Sequence, residues 1–295
     1  MKILCIGSVN QDMVYKVHHF AVGGETITAQ ERNVYWGGKG LNQAVAAARA
    51  CDAVYLAGCI NRNEVDFYQF AQENKLHTDY LKVTDAPTGQ AIICVDEKGQ
   101  NSIVVYGGSN RTLTREYIED TLTHFEKGDI LLMQNETNAL SDMLQLAHAK
   151  GMRLVMNPSP FDVSLLELQL DLVDVFLINE IEGFQMTGET QADAIMQALQ
   201  KKFPQAEIVL TLGKDGVVYA TREKVLHHGI YPVKVVDTTA AGDTFTGYFL
   251  SGLTRGLAPE QILEQASKAS SIAVSRHGAA SSIPSLNEVL RFQGE

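Results

Sequence analysis

The sequence is poor in several features that mark large classes of protein. No apolar run approaches 18 residues, which excludes a membrane-spanning helix. Cations are outnumbered: 24 Lys and Arg face 35 Asp and Glu, for a net charge of −11. Nucleic acid and anionic membrane surfaces both require a positive footprint, so neither is expected as a partner. A phosphate-bearing small ligand would meet the same repulsion, so any anion site has to be local and built largely from backbone. Cysteines are few: Cys5, Cys51, Cys59 and Cys94 form no CxxC pair. The opening Met1–Gly7 turns polar too soon for a secretion signal. The thiols therefore read as buried groups in a reducing cytoplasm, not as a disulfide framework. The 7 prolines and 24 glycines show no low-complexity bias, and no internal repeat is visible.

Familiar catalytic motifs are missing too. Gly38-Lys39 is followed by Gly40, which breaks the GxxxxGK[ST] pattern. No GxGxxG follows the first strand, and HExxH and GxSxG are absent. Walker-type ATPases, Rossmann dehydrogenases, zinc hydrolases and α/β-hydrolases lose ground accordingly. The eight histidines form no HxH or HxxxH ligand pair.

What is present is a chain of 295 residues, long enough for about two domains or one large α/β domain with an insertion. Lys2–Ser8 is an apolar run with the pattern of a buried strand. Residues 13–36 then carry β-formers (Val14, Tyr15, Val17, Thr26–Thr28, Val34–Trp36) broken by Gly23-Gly24, which predicts a hairpin. A second hairpin is expected where Gln90–Val95 and Ser102–Tyr106 flank Asp96-Glu97-Lys98-Gly99. Gly40–Ala50 reads as an Ala-rich helix and Val54–Gly58 as a strand. Beyond them, strand patterns at 129–133, 153–156, 173–178 and 207–212 alternate with helical patterns at 138–150 and 190–202. Two long helical stretches follow at 243–255 and 259–275. That alternation predicts βαβ units around a mostly parallel sheet. The two hairpins lie outside it and are free to pair into one small second sheet, a lid over a strand-end cleft.

Four stretches carry candidate chemistry. Gly37-Gly38-Lys39-Gly40-Leu41-Asn42-Gln43 is a glycine cluster running into a helix whose first N–H groups would be free; it is a ligand loop or an ordinary helix start. In Val236–Gly247 a strand is expected to end near Val236, and small residues then turn into a helix. The amides of Ala241, Gly242 and Asp243 would aim at an anion. Asp243 is then either an N-cap or a general base. Asn179-Glu180-Ile181-Glu182 opens a helix with acids that either complement its dipole or organise Mg²⁺ through water. Thr211–Gly216 has the Asp-Gly of a hairpin turn, and Glu136 follows a strand end, where a lone carboxylate is ordinarily solvated.

Taken in order, these pieces resemble the ribokinase branch of the PfkB carbohydrate kinase family. Gly37-Gly38-Lys39-Gly40-x-Asn42-Gln43-Ala44 is similar to its first signature, and Asp237-Thr238-x-Ala240-Ala241-Gly242-Asp243-Thr244-Phe245 to its second. Asn179-x-x-Glu182, Thr211-Leu212-Gly213-x-x-Gly216 and Gly7-Ser8-Val9-Asn10-x-Asp12 match three shorter ones. The resemblance implies an α/β fold, a three-layer αβα sandwich with a mostly parallel sheet plus a small β-sheet lid. On that pattern residues 1–9, 37–87 and 108–295 form the core, and residues 10–36 and 88–107 the lid. It implies ATP-dependent phosphorylation of a pentose's primary hydroxyl, first of all D-ribose to D-ribose 5-phosphate. Kinases for 2-deoxyribose, another sugar or a nucleoside are the alternatives, and a catalytically silent sugar sensor is the non-enzyme one. By resemblance Asp243 is the base and the backbone of Ala240, Ala241, Gly242 and Asp243 the anion hole. Asn10, Asp12, Gly38, Lys39, Asn42 and Glu136 fall at sugar positions. Asn179, Thr211, Gly213, Gly216, Gly242 and Ser267 fall at ATP positions, and Glu182 supports Mg²⁺. Asp237, Thr239, Ala273, Arg276, Gly278 and Ser282 match a K⁺ site, mostly through carbonyl oxygens. A homodimer joined through the lid is expected. Two departures stand out: Ile60-Asn61-Arg62-Asn63-Glu64-Val65 replaces a Gly-x-Asp-x-x-Gly stretch, and Leu41 stands where Ala is common.

Overall fold

The computed structural model describes residues 1–294. Its centre is a nine-stranded sheet in the order β13-β12-β11-β10-β9-β8-β1-β4-β5. These strands are β1 Ile3–Ile6, β4 Val54–Asn61, β5 His77–Thr84, β8 Ile130–Gln134, β9 Arg153–Asn157, β10 Val175–Asn179, β11 Glu207–Thr211, β12 Val217–Ala220 and β13 Val225–His228. All neighbours from β5 to β11 pair in parallel, and β12 and β13 add an antiparallel edge. The central runs are apolar almost throughout because both faces are covered. Alternation divides them between two cores: Ile3 and Cys5 join one cluster, Leu4 and Ile6 the other.

Helices cover each face. On one side lie α1 Lys39–Ala48, α2 Asp66–Glu73, α7 Ala241–Thr254, α8 Pro259–Val274 and α9 Leu286–Arg291. On the other lie α3 Arg115–Leu122, α4 Leu140–Ala149, α5 Glu180–Thr187 and α6 Ala192–Lys202. No helix of the described residues is long and apolar enough to cross a membrane. All four cysteines are free thiols; Cys5 and Cys59 are buried, Cys51 and Cys94 half-buried.

The two hairpins do combine. Strands β2 Asn10–Lys16, β3 Glu31–Gly37, β6 Gly89–Val95 and β7 Asn101–Tyr106 form a separate four-stranded sheet in the order β3-β2-β6-β7. The hairpins join through parallel pairing of β2 with β6. Thr26–Thr28, expected as strand, belong instead to the irregular connection between β2 and β3. The strand expected near Val236 is also absent: after β13 the chain runs without regular structure to α7, and Val235 and Val236 are exposed. With no partner strand beside them, β-forming residues alone do not make a strand.

The chain leaves β1 toward β4 and later returns to β1's other side with β8. This reversal is a topological switch point, where open parallel sheets bind ligands beyond their strand ends. Ser8 follows β1, and β8, β9, β10 and β11 end in Gln134, Asn157, Asn179 and Thr211. A row of polar side chains therefore crosses the carboxyl edge of an otherwise apolar sheet.

Candidate active site

Gly38 takes φ 94°, a left-handed conformation suited to glycine, and places α1 over the end of β1. A Cβ on Gly40 would stand 2.4 Å from the Ser8 nitrogen, so the helix start and strand end touch through main chain. The first N–H groups of α1 are not free, contrary to the sequence expectation. Lys39 N donates to Glu136 Oε2 at 2.9 Å, Gly40 N to Ser8 Oγ at 3.1 Å, and Leu41 N to the Ser8 carbonyl at 2.9 Å. Glu136 is accordingly not a solvated carboxylate: it also accepts from Ser8 Oγ and caps the start of α1.

The second glycine turn behaves differently. Ala240, left-handed at φ 59°, is the N-cap residue of α7 and has no side-chain cap bond. Ala241 N is engaged by the Thr238 carbonyl at 3.3 Å. The amides of Gly242 and Asp243 find no acceptor among the described residues, so the anion-facing donors number two where the sequence suggested three. Asp243 occupies the third helical position and its carboxylate caps nothing. It is 7% exposed; Oδ2 accepts from Asn42 Nδ2 at 3.1 Å and Oδ1 from Gln43 Nε2 at 2.9 Å. The N-cap reading of Asp243 is therefore set aside, because its lone pairs face α1.

Charge gathers here. Asp12 is pushed up from 3.8 to about 7, first by burial and then by the nearby carboxylates of Glu136 and Asp243. Burial pushes the Lys39 ammonium down, but Asp243, Glu136 and Glu182 together outweigh it and raise it above its ordinary value. Lys39 thus stays cationic amid carboxylates. Asn10 lies buried with Oδ1 accepting from Asn110 Nδ2 at 2.7 Å. Asn42 Oδ1 is buried with no partner, an acceptor awaiting a donor.

Two adjoining cavities meet at the α7 turn. The smaller, about 190 Å³, is lined by Lys39, Asn157, Glu182, Gly242 and Asp243 among others. Asn10, Asp12, Gly38, Asn42 and Glu136 do not line it; they gather beside it around Lys39 and Asp243. The larger, about 690 Å³, brings together Asn179, Thr211, Gly213, Gly216, Gly242 and Ser267, all six ATP positions from sequence. Its remaining wall is mostly apolar, from Ile181, Ile230, Tyr231, Val233, Val235 and Val274. The part of that wall from Ile230, Tyr231, Val233 and Val235 was not legible in sequence, since it comes from an irregular segment.

Asn179 and Glu182 form a reciprocal capping box on α5: Glu182 N donates to Asn179 Oδ1 at 2.9 Å and Asn179 N to Glu182 Oε2 at 3.0 Å. The dipole reading of this pair therefore holds, while Glu182 Oε1 takes no hydrogen bond among the described residues and its residue lines the smaller cavity. Among the described residues no group of three or more His, Cys, Asp or Glu side chains stands together as a metal cage. A cation here would rely on one protein carboxylate plus waters and phosphate oxygens, the coordination typical of Mg²⁺. Asp237 lies apart from both cavities and joins two loops. Its Oδ1 accepts from Thr239 N at 2.9 Å and Oδ2 from Gly278 N at 3.0 Å, while Val236 and Asp237 N–H groups reach the Val274 carbonyl. The Ala273 carbonyl accepts from Arg276 N, Arg276 pairs with Glu288, and Ser282 Oγ donates to the Ala279 carbonyl.

Three polar residues went unassigned in sequence. Gln43 Nε2 donates to Asn157 Oδ1 as well as to Asp243, and Gln134 Nε2 donates to Gln43 Oε1 at 2.7 Å. Position at the carboxyl end of a parallel strand was the available signal for Gln134 and Asn157.

A switch-point cleft, a helix-start anion turn with two free amides, and a buried carboxylate beside it define a phosphotransferase site of the αβα sandwich type. Residues 1–286 match the pfkB family carbohydrate kinases, and the chain belongs to that family of ATP-dependent carbohydrate kinases. A ribokinase of Staphylococcus aureus is 36% identical over 301 residues, covering 98% of each chain. The fold is similar to that of Thermotoga maritima ribokinase, with a TM-score of 0.88 and 32% identity over 98% of both chains. It is likewise similar to Arabidopsis thaliana ribokinase complexed with ribose and ATP, with a TM-score of 0.86 and 27% identity over 99% of both.

Proposed function

We propose that this chain phosphorylates the primary hydroxyl of D-ribose with ATP, giving D-ribose 5-phosphate. The observation that carries the reading is Asp243: a buried carboxylate beside two unengaged helix-start amides, lining the smaller cavity next to Gly242, which lines both. Asp243 takes the hydroxyl proton. The Gly242 and Asp243 amides, with the α7 dipole, hold charge developing on the transferred phosphoryl group, and Lys39 adds a fixed positive charge beside it. The net charge of −11 does not oppose this, because the anion is met by main chain. Asn10, Asp12, Gly38, Asn42 and Glu136 surround the sugar, and the unpartnered Asn42 Oδ1 suits a sugar hydroxyl donor. Asn179, Thr211, Gly213, Gly216 and Ser267 hold the nucleotide. Glu182 would orient the waters of a nucleotide-bound Mg²⁺, which would supply charge neutralisation. Asp237, Thr239, Ala273, Arg276, Gly278 and Ser282, on the loops tied by Asp237, would hold a K⁺ that would set the turn.

The four-stranded sheet, residues 10–36 and 88–107, serves as the lid over the core. All six residues of its edge strand β7 are exposed, including Ile103, Val104 and Val105. Such an apolar edge supports pairing with a second copy into a homodimer. Free, largely buried thiols suit a reducing cytoplasm.

A coupled assay of ADP release across D-ribose, 2-deoxy-D-ribose, hexoses and nucleosides tests the substrate. D-ribose is expected to give the highest kcat/KM, because a site that hydrogen-bonds a hydroxyl rejects the analogue lacking it. A higher value for 2-deoxyribose or a nucleoside would replace the assignment, and sugar binding without turnover would make the protein a sensor. Asp243→Asn is expected to lower kcat at least ~10²-fold while nucleotide binding persists.

A further inference from the structure

The buried polar chain beneath Asp243 has only one workable direction. Gln43 Nε2 carries two N–H groups, and both are used, at 2.9 Å to Asp243 Oδ1 and 2.9 Å to Asn157 Oδ1. Gln43 Oε1 receives Gln134 Nε2 at 2.7 Å, and Asn157 Nδ2 is committed to the Leu177 carbonyl at 2.8 Å. A flipped Gln43 amide would set oxygen against two acceptors and N–H against a donor. Gln43 and Gln134 are both fully buried, so water offers no substitute. Asp243 Oδ1 is thus fixed as an acceptor from inside the protein, whereas Oδ2 meets only the Asn42 amide.

We infer that Gln43, locked by Gln134 and Asn157, is a positioning residue that commits Asp243 Oδ1 as an acceptor and so directs the substrate proton onto Oδ2. The inference rests on the proposed role of Asp243 as the base. In the step, the sugar O–H bond breaks and its proton forms an O–H bond to Oδ2. The freed electron pair on the sugar oxygen bonds to the γ-phosphorus of ATP. The bond from that phosphorus to the β–γ bridging oxygen breaks, and ADP departs with the pair. The charged and titratable groups around Asp243 are Lys39, Asp12, Glu136, Glu182 and Cys5, and all of them remain in the variants below.

The test compares Gln43→Leu, Gln134→Leu and Asp243→Asn with the unchanged protein, using D-ribose and MgATP at saturation. Gln43→Leu is expected to lower kcat by about 10- to 10²-fold, as misplacement of a reacting group does. KM for both substrates should stay within about twofold, since binding contacts are untouched. The acid limb of the kcat–pH profile should move to higher pH, because withdrawing a donor from a carboxylate favours its protonated form. Loss of folded protein would lower the rate without moving that limb. Gln134→Leu should shift kcat and limb in the same direction by less, and it keeps the test decisive should Gln43→Leu fail to fold. Unchanged kcat and limb in the folded Leu variants, beside an inactive Asp243→Asn, would overturn the inference and leave the base in place. An active Asp243→Asn would remove the base reading and the inference with it.

Discussion

Gly247 of α7 stands against the backbone of Gln43 on α1: a Cβ there would lie 2.7 Å from the Gln43 carbonyl oxygen and 2.4 Å from the Ala46 Cβ. The two helices touch main chain to main chain at this point. Gly247 is one turn after Asp243, so the same close approach brings Asn42 and Gln43 within reach of the carboxylate. Gly247→Ala would force the helices apart at an overpacking cost of about 1–3 kcal/mol. The expected outcome is a lowered unfolding midpoint by calorimetry together with a reduced kcat. Equal midpoint and kcat in the variant would show that the contact is not what seats the amides.

With Asp12 at the sugar, as proposed, the site has a pH dependence with a definite sign. Its carboxyl is raised from 3.8 to about 7 in the folded chain, by burial first and by Glu136 and Asp243 next. The fold favours the protonated form, so Asp12's contribution to stability is full below 3.8 and is lost as pH rises through about 7. Sugar hydroxyls that donate to Asp12 favour the ionised form instead. The sugar KM should therefore fall as pH rises through about 7, with kcat at saturation following a separate profile. Initial rates from about pH 5.5 to 8 check this, and Asp12→Asn should flatten the KM dependence. A KM that stays constant across that range in the unchanged protein would refute it.

Glu64 holds the small sheet where it meets the core. Gln11 Nε2 donates to Glu64 Oε2 at 2.7 Å, Thr88 Oγ1 to Glu64 Oε1 at 3.1 Å, and Asn61 N to Thr88 Oγ1 at 3.0 Å. Along β2, Asn10 and Asp12 share one face and Gln11 lies on the other, so Glu64 grips β2 from behind the two residues proposed to meet the sugar. Glu64→Ala should raise the sugar KM by roughly 3- to 10-fold, the effect of losing a hydrogen bond to a charged group that is partly replaced by water. kcat at saturating sugar and the KM for ATP should hold. If the sugar KM does not move, Glu64 is a local loop contact only.

Much of this architecture was readable because alternation and turn chemistry are local. Gln90–Val95 and Ser102–Tyr106 around Asp96–Gly99 announce a hairpin, and that hairpin forms as β6 and β7. Thr26–Thr28 misled because strand-forming residues become strand only beside a partner, and β3 pairs with β2 from Glu31 onward. The first amides of α1 were misjudged for a similar reason. Their acceptors, Glu136 and Ser8, are distant in sequence and meet them only through the order of strands in the sheet. Asp243 could not be separated from a helix cap by its own neighbours, since its partners Asn42 and Gln43 lie 200 residues away. Gln134 and Asn157 look like ordinary strand ends until the sheet aligns them in register as direct neighbours.

The two cavities share Asn179, Thr211, Thr238, Ala241, Gly242 and Phe245, and little else. Among what they hold in common at the α7 turn are the small residues Ala241 and Gly242, which offer main-chain groups that most point substitutions leave in place. On the proposed assignment, the sugar side draws its other groups from the small sheet and α1, the nucleotide side from residues 230–235 and α8. Inherited change can therefore remodel acceptor preference and donor preference as nearly independent traits.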